Sequence, residues 1–366
     1  MLQSIENKYA NLLVDYCLSI KEGEKLYIKT TTAAEPLLIE VYREAMKRGA
    51  IVEYDMNFAG KQAMWMRHAN EEQLNHIGTS YANALRNFDA YLVIRAPMNM
   101  KDEHGLNMSK LKLRKDAVRD LLQVYNDRIA NEDMKRSLCM YPTQASAQYA
   151  GMTLDDYSNF VYRACHLDKK DPMQAWRNVR TEQERYVERL NASEKIHYKG
   201  KNIDVTFSVK GRTWINSDGR TNMPSGEVFT GPVEDSVNGK VYFSYPSIYM
   251  GEEVEGVTLY IKDGYIEKWE AEKGKGFLDK IFQMKGTRRF GEAAVGTNYN
   301  IDRMTKNILF DEKIGGTIHM AVGQSYKHTG GTNESVVHWD MITDMTEDGE
   351  ILADGERIYE KGKFII

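Results

Sequence analysis

The sequence predicts an α/β amino-terminal domain over residues 1–175, followed by a β-rich α+β domain over residues 176–366 whose antiparallel sheet is curved or barrel-like. Three observations predict it. Up to about residue 170, short apolar runs alternate with amphipathic helical stretches. After Ser193, brief segments of alternating polarity are separated by frequent turn signals. A length of 366 residues is also about twice that of a typical domain, so two separate cores are expected.

In the first part, KLYIKT, PLLIEVYREAMKRG and IVEYDM form a β-α-β unit. Leu37, Leu38, Val41 and Ala45 fall on one face of its helix, and a crossover of that length joins parallel strands. YLVIRAP and RSLCMYP are two further buried strands. Between them lies the helical stretch LRKDAVRDLLQVYNDRIA, with Val118, Leu121, Leu122 and Tyr125 on its buried face. Layering of helices on this sheet follows. No GxGxxG follows the first strand and no GxxxxGK[ST] occurs, so this half carries neither of the usual phosphate-binding loops.

A long polar helix, DPMQAWRNVRTEQERYVERLNA, marks the change of character and places the boundary near residues 170–190. IDVTFSV, GVTLYIKDGYIEKWEA and GTIHMAV then alternate as half-buried strands do. Asp-Gly at 218–219, 263–264 and 348–349 and Asn-Gly at 238–239 are hairpin signals, which favour antiparallel pairing.

Charge and cysteine usage narrow the possible functions. With 49 basic against 53 acidic residues the net charge is −4, which gives neither nucleic acid nor an anionic membrane as partner. The opening MLQSIENKYANLLVDYCLSI is too acidic and too interrupted for a signal peptide, and no stretch nears the roughly 18 apolar residues of a membrane span, so a cytoplasmic protein is expected. Cys17, Cys139 and Cys165 are odd in number, widely separated and without a CxxC pair, which suits buried free thiols. Cysteine or serine hydrolase chemistry is disfavoured: Cys165 and His166 are directly adjacent, which is no catalytic geometry, and GxSxG is absent.

The chemistry-bearing residues lie in the second half. Glu227 stands in NMPSGEVFTGP, Glu292 in RRFGEAAVGTN, His319 in GGTIHMAVG, and His338 and Asp340 in ESVVHWDMITD. Three carboxylates and two imidazoles make a donor set for two cations, because carboxylates can bridge ions about 3.5–4 Å apart while imidazole favours zinc or cobalt over calcium. On a strand, residues i and i+2 share a face, so His338 and Asp340 point together and Trp339 points away. In TIHMAV, His319 shares a face with Thr317 and Ala321 while Ile318, Met320 and Val322 point into a core. In GEAAVG, and beside Pro224, Val228 and Phe229, an unpaired buried carboxylate would be costly, and a cation partner explains Glu292 and Glu227. Glu234 and Asp235 suit a turn or solvated face. His68, His76, His104, His166, His197 and His328 lack ligand-like company and receive no role.

Four phrases in this order, NMPSGEVFTGPVEDSVNG, RRFGEAAVGTN, GGTIHMAVGQSY and NESVVHWDMITD, resemble the motifs of the thermophilic aminopeptidase family of metallopeptidases, the aminopeptidase T and aminopeptidase S type. Fainter echoes occur upstream in KEGEKLYI, YLVIRAPMN, DPMQAW and WINSDGRTN, so the resemblance spans most of the chain. It implies removal of amino-terminal residues from peptides with two divalent ions (zinc, cobalt, magnesium or manganese) in a homodimer. It also implies that Glu227, Glu292, His319, His338 and Asp340 are the ligands and that Tyr326 is a tyrosine near the metals. Asp340 and either Glu227 or Glu292 are the natural bridges. Glu292, if not fully committed to metal, would be general base, and Tyr326 would donate to the tetrahedral oxyanion. Another two-metal amidase or dipeptidase, or a non-enzymatic metal-binding protein, would use the same donors.

Overall fold

A computed structural model describes residues 4–102 and 105–366, so His104 lies outside the described residues. The chain divides into two compact units. One runs through Met173 and includes Gly219–Pro224; the other comprises Gln174–Asp218 and Ser225–Ile366.

In the first unit, β1 (Lys25–Thr31), β2 (Ile51–Asn57), β3 (Ala90–Arg95) and β4 (Lys135–Met140) form a parallel sheet in the order β2-β1-β3-β4. The helix Glu35–Lys47 makes the first crossover, and its Leu37, Leu38, Val41 and Ala45 are buried as their spacing requires. Of the four core positions expected on the longest helix only Leu121 is fully buried, Val118 and Tyr125 being half-buried. Leu121 of the helix Met108–Ala130 is buried in a cluster with Leu85, Phe88 and Tyr91, and Tyr125 packs partly against it, whereas Leu122 is 38 % exposed. Leu122 lies about 100° round the helix from Leu121, and that arc faces solvent.

The polar helix Pro172–Asn191, which belongs to the second unit from Gln174 onward, precedes β5 (Lys195–Gly200), β6 (Ile203–Ser208) and β7 (Ile215–Ser217). The chain then contributes β8 (Asn222–Met223) to the first unit, pairing parallel with β4. It continues through β9 (Glu227–Thr230), β10 (Asn238–Phe243), β11 (Ser247–Tyr249), β12 (Glu252–Val254), β13 (Val257–Lys262) and β14 (Tyr265–Glu270). The remaining strands are β15 (Phe290–Gly296), β16 (Thr317–Gly323), β17 (His338–Asp344), β18 (Glu350–Ala353), β19 (Glu356–Glu360) and β20 (Lys363–Phe364). Two antiparallel sheets result, ordered β14-β13-β10-β6-β5-β18-β19-β20 and β17-β16-β15-β9-β7, with β11 and β12 as a separate ribbon. Among the described residues no ladder joins β14 to β20, so the long sheet is open rather than closed into a barrel.

One apolar cluster takes side chains from both sheets, including Val205, Phe207 and Leu259 from the longer and Val295, Ile318 and Met320 from the shorter. Every residue of β15 and of β16 is buried, so the face carrying His319, Thr317 and Ala321 is closed as well as the opposite one. Burial on both faces gives the polar groups of these two strands a well-packed platform.

Of the four hairpin signals, only Asp263–Gly264 joins two paired strands, β13 and β14. Asn238–Gly239 opens β10, where Gly239 (φ +125°) is required by close approach: a Cβ there would meet the Asp204 carbonyl oxygen at 2.0 Å. The strands flanking Asp218–Gly219 and Asp348–Gly349 pair with other partners. These dipeptides report local backbone conformation, which a bend or a close contact uses as readily as a hairpin does.

Candidate metal centre

The register of the five-stranded sheet assembles the site. Glu292 on β15 faces Ala321 on β16, which faces Asp340 on β17, so two carboxylates flank one small residue across three strands. His319 and His338 lie two positions from Ala321 and Asp340 on the same face. Glu227 joins that face through its pairing with Gly296. An irregularity between Phe290 and Glu292 shifts the register at Gly291, where a Cβ would meet the Gln324 carbonyl oxygen at 2.2 Å. Such bulges re-aim the following side chain, here Glu292. Gly226 enters β9 at φ +109°, with room for no Cβ against Asn298, and this sets the height at which Glu227 leaves the strand.

All five predicted residues converge in two overlapping groups: Glu227, Glu292 and His319, and Glu292, His338 and Asp340. His319 Nε2 lies 3.5 Å from Glu227 Oε2 and 3.3 Å from Glu292 Oε1. His338 Nε2 lies 3.3 Å from Glu292 Oε2 and 3.6 Å from Asp340 Oδ1. Glu292 therefore turns one oxygen to each imidazole. These separations are long for charge-assisted hydrogen bonds, which run about 2.7–2.9 Å. They match the roughly 3.3 Å edge of a tetrahedron of ligands about 2.0–2.1 Å from a zinc-sized ion.

The donors are sealed in. Glu227, Glu292, His319 and Asp340 are buried, and Glu227 Oε2 and Asp340 Oδ1 have no protein hydrogen-bond partner. A buried carboxylate oxygen without a donor is costly, and a cation supplies what the chain does not. His338 Nδ1 donates to the Gln324 carbonyl at 2.8 Å, which directs Nε2 to the centre. Three protein donors per group leave room for a further ligand, as catalytic sites require.

Electrostatics follow from crowding. Burial opposes charge on His319, but Glu292 and Glu227 outweigh it and push its pKa up to about 9. At His338 burial is likewise outweighed, by Asp340 and Glu292, and the pKa rises to about 12. Burial would raise Asp340, yet His338, His319 and Lys313 hold it down at about 2. Glu292 is lowered as well, with burial outweighed by the two imidazoles. The cluster thus favours positive charge at its centre, by protons or by metal ions.

Tyr326, at the start of a 3₁₀ turn over Lys327–Thr329, places its hydroxyl 3.5 Å from His338 Nε2 and is 40 % exposed. Desolvation and the carboxylates of Glu292 and Asp340 raise its phenol well above the ordinary value, so it keeps its proton. His328, given no role from the sequence, packs beside it, with ring centroids 5.4 Å apart and Phe229 within 5.9 Å. Glu234 and Asp235 lie in a turn as expected, Asp235 exposed, while Arg212 and the Thr332 N–H hold the half-buried Glu234 carboxylate. His197 pairs with Asp204 at 2.7 Å, away from the five.

Glu312 and Lys313 join the site without a recognisable ligand motif. Lys313 is completely buried; its ammonium pairs with Glu312 and lies 3.5 Å from Glu227 Oε1. Burial, reinforced by Glu227 and Asp340 and opposed by Lys313, lifts the Glu312 pKa to about 8. The signal was present in ILFDEKIGG, where a charged pair stands in an apolar run, the same reasoning that singled out GEAAVG.

Comparison with known proteins identifies the family and the fold. A family model described as "Thermophilic metalloprotease (M29)" matches residues 3–364. The chain is 27 % identical over 404 residues to "Aminopeptidase 2" of Geobacillus stearothermophilus, covering 98 % of this chain and 97 % of that one. It is 25 % identical over 406 residues to "Aminopeptidase T" of Thermus thermophilus, covering 98 % of each. The solved structure of wild-type AmpT from Thermus thermophilus superposes with a TM-score of 0.84 at 21 % identity over 99 % of both chains, a likeness of fold.

Proposed function

The chain belongs to the thermophilic metalloprotease family, a family of metallopeptidases, and from that premise we propose that it is an aminopeptidase whose two divalent cations are held by Glu227, Glu292, His319, His338 and Asp340. The observation that carries the two-ion reading is the division of Glu292, with Oε1 towards His319 and Oε2 towards His338. One carboxylate facing two donor groups is the arrangement a bridging ligand needs, which favours Glu292 as the bridge. It also leaves Glu292 little freedom to serve as general base. Glu227 and His319 would complete one ion's ligands, and His338 and Asp340 the other's.

When bound, such ions supply a water of lowered pKa, a Lewis-acid contact to the first peptide carbonyl and a position for the substrate's free amine, which restricts cleavage to the chain end. The chain's own residues do the rest. The Gln324 carbonyl fixes the His338 tautomer. The protonated Tyr326 hydroxyl, beside His338, donates a hydrogen bond to the oxyanion that develops on the carbonyl. The buried strands β15 and β16 keep solvent from the inner side, and Tyr326 and His338 stand on the accessible side.

The test is release of a chromogenic group from a free amino-terminal leucine substrate and from its acetylated counterpart, using chelator-stripped protein with and without zinc, cobalt, magnesium or manganese. Metal-dependent cleavage of the free amine alone is expected. Cleavage of both substrates would replace the aminopeptidase with a broader amidase. Silence from folded, metal-loaded protein would leave a metal-binding protein without this activity.

A further inference from the structure

Lys313 is the buried charge that this scheme leaves without a task. Its side chain is 0 % exposed, and an ammonium withdrawn from water is strongly unfavourable unless its partners are fixed and close. Two carboxylates take that place. Glu312 pairs with it directly, and Glu227 Oε1 lies 3.5 Å away. The lysine backbone is tied down too. The Asn298 N–H donates to the Lys313 carbonyl at 3.0 Å, and the Asn298 side chain donates to the Ser225 carbonyl at 2.8 Å, two residues before Glu227. Lysine and glutamate are therefore braced through the same asparagine.

The consequence lies in how the oxygens of Glu227 are divided. Oε1 faces the ammonium, while Oε2 faces His319 Nε2 at 3.5 Å and has no hydrogen-bond partner from the chain. A carboxylate with one oxygen drawn to an ammonium is biased against turning away from a cation on its other side or embracing it with both oxygens. Carboxylate ligands usually owe their orientation to such an outer partner, and loss of the partner commonly costs about 10–100-fold in metal affinity.

We propose that Lys313 is a positioning residue for one of the two cations: it holds Glu227 by Oε1 so that Oε2 alone is presented to the ion shared with His319 and Glu292. The proposal rests on the two-ion reading above. It places the positional effect in the Glu227 half of the site, because the only metal-donor carboxylate among the described residues in ion-pair contact with Lys313 is Glu227.

The experiment is zinc binding by chelator competition, with bound metal counted on the folded protein, for wild type, Glu312→Gln and the double variant Glu312→Gln with Lys313→Met. The double variant removes the ammonium together with the carboxyl group it pairs with, so Glu312 is not left facing an empty partner position. Wild type and Glu312→Gln should each bind two ions with matching affinities. The double variant should bind one ion as wild type does and the other about 10–100-fold more weakly. Melting curves accompany each titration, since general loosening of the fold would weaken both ions together. Wild-type affinities for both ions in the double variant would overturn the proposal, as would equal weakening of both, or loss of the ion already in Glu312→Gln. A wild type that binds only one ion would instead overturn the two-ion reading itself. Should the double variant not fold, Glu312→Gln with Lys313→Gln is read by the same criteria.

Discussion

His338 Nδ1 lies 2.8 Å from the carbonyl oxygen of Gln324, so that nitrogen carries the proton and Nε2 is the one turned to Glu292 and Asp340. In metal-free protein the Asp340 and Glu292 carboxylates favour the protonated form of Nε2 as well, with burial outweighed, and push the pKa up to about 12. His319 behaves similarly at about 9. Both values lie above the ordinary 6.5 or so, so the charged imidazoles stabilise the metal-free fold fully below about pH 6.5. The His319 share is lost as pH rises through about 9. Melting temperature of stripped protein should therefore fall from pH 6.5 towards 9. Zinc loading at pH 7 should release protons, up to about two per chain, and tighten with pH. Calorimetry in buffers of different ionisation enthalpy measures the release, and none at all would mean that the histidines do not ligate.

Glu292 and Asp340 should differ in what their loss removes. Asp340→Ala takes donors from one group only and should retain one ion, whereas Glu292→Ala takes a donor from both and should retain neither at stoichiometric affinity. Turnover should be abolished in both variants while the fold survives. Bound-metal analysis with circular dichroism distinguishes them, and two retained ions in Glu292→Ala would remove it as the shared ligand.

Tyr326→Phe keeps the ring against Phe229 and His328 and deletes only the hydroxyl. Loss of one oxyanion donor costs about 10²–10³ in kcat, so a fall near the lower figure is expected, with KM and metal content unchanged. Full turnover would reduce the tyrosine to a packing role.

Two glycines should respond oppositely to alanine. At Gly226, with φ +109°, an added Cβ would meet Asn298 Cβ at 2.7 Å, and backbone strain of about 1–3 kcal/mol should appear together with weaker metal binding through Glu227. Gly276 lies in the helix Lys275–Ile281 with nothing within 4 Å of such a Cβ, and alanine there should stabilise by about 0.5–1 kcal/mol. Urea unfolding of both variants decides; equal effects would contradict the geometry.

Ser247 links the tryptophan of the HWD motif to the backbone of its aspartate. Its Oγ accepts from Trp339 Nε1 at 2.6 Å and donates to the Asp340 carbonyl at 2.7 Å. Ser247→Ala leaves a buried donor and a buried acceptor without partners and should cost about 1–3 kcal/mol. An unchanged melting temperature would show that the pair is satisfied otherwise.

Where the sequence reading fell short, the missing information was tertiary. Leu121 and Leu122 are adjacent apolar residues on one helix, and nothing in their spacing says which is covered, because the cluster of Leu85, Phe88 and Tyr91 makes that choice. Asn238–Gly239 carries the composition of a hairpin turn, yet its glycine answers to the approach of β6. Glu312 and Lys313 are consecutive opposite charges, a pattern common on solvated surfaces, and only the packing around β16 reveals that Lys313 is sealed beside Glu227.

By itself the sequence determined what depends on local spacing and chemical type. The β-α-β opening follows from helical and strand periods, and the shared aim of His338 and Asp340 follows from the two-residue repeat of a strand. The ordered motifs identify the family. Only the tertiary structure decided which atoms meet: Glu292 stands between the two imidazoles because β15, β16 and β17 pair in one register, with a bulge at Gly291 and a small Ala321 between two carboxylates. Register across strands is set by long-range hydrogen bonding and burial, and a slip of one residue would turn His319 and Ala321 to the opposite face of the sheet.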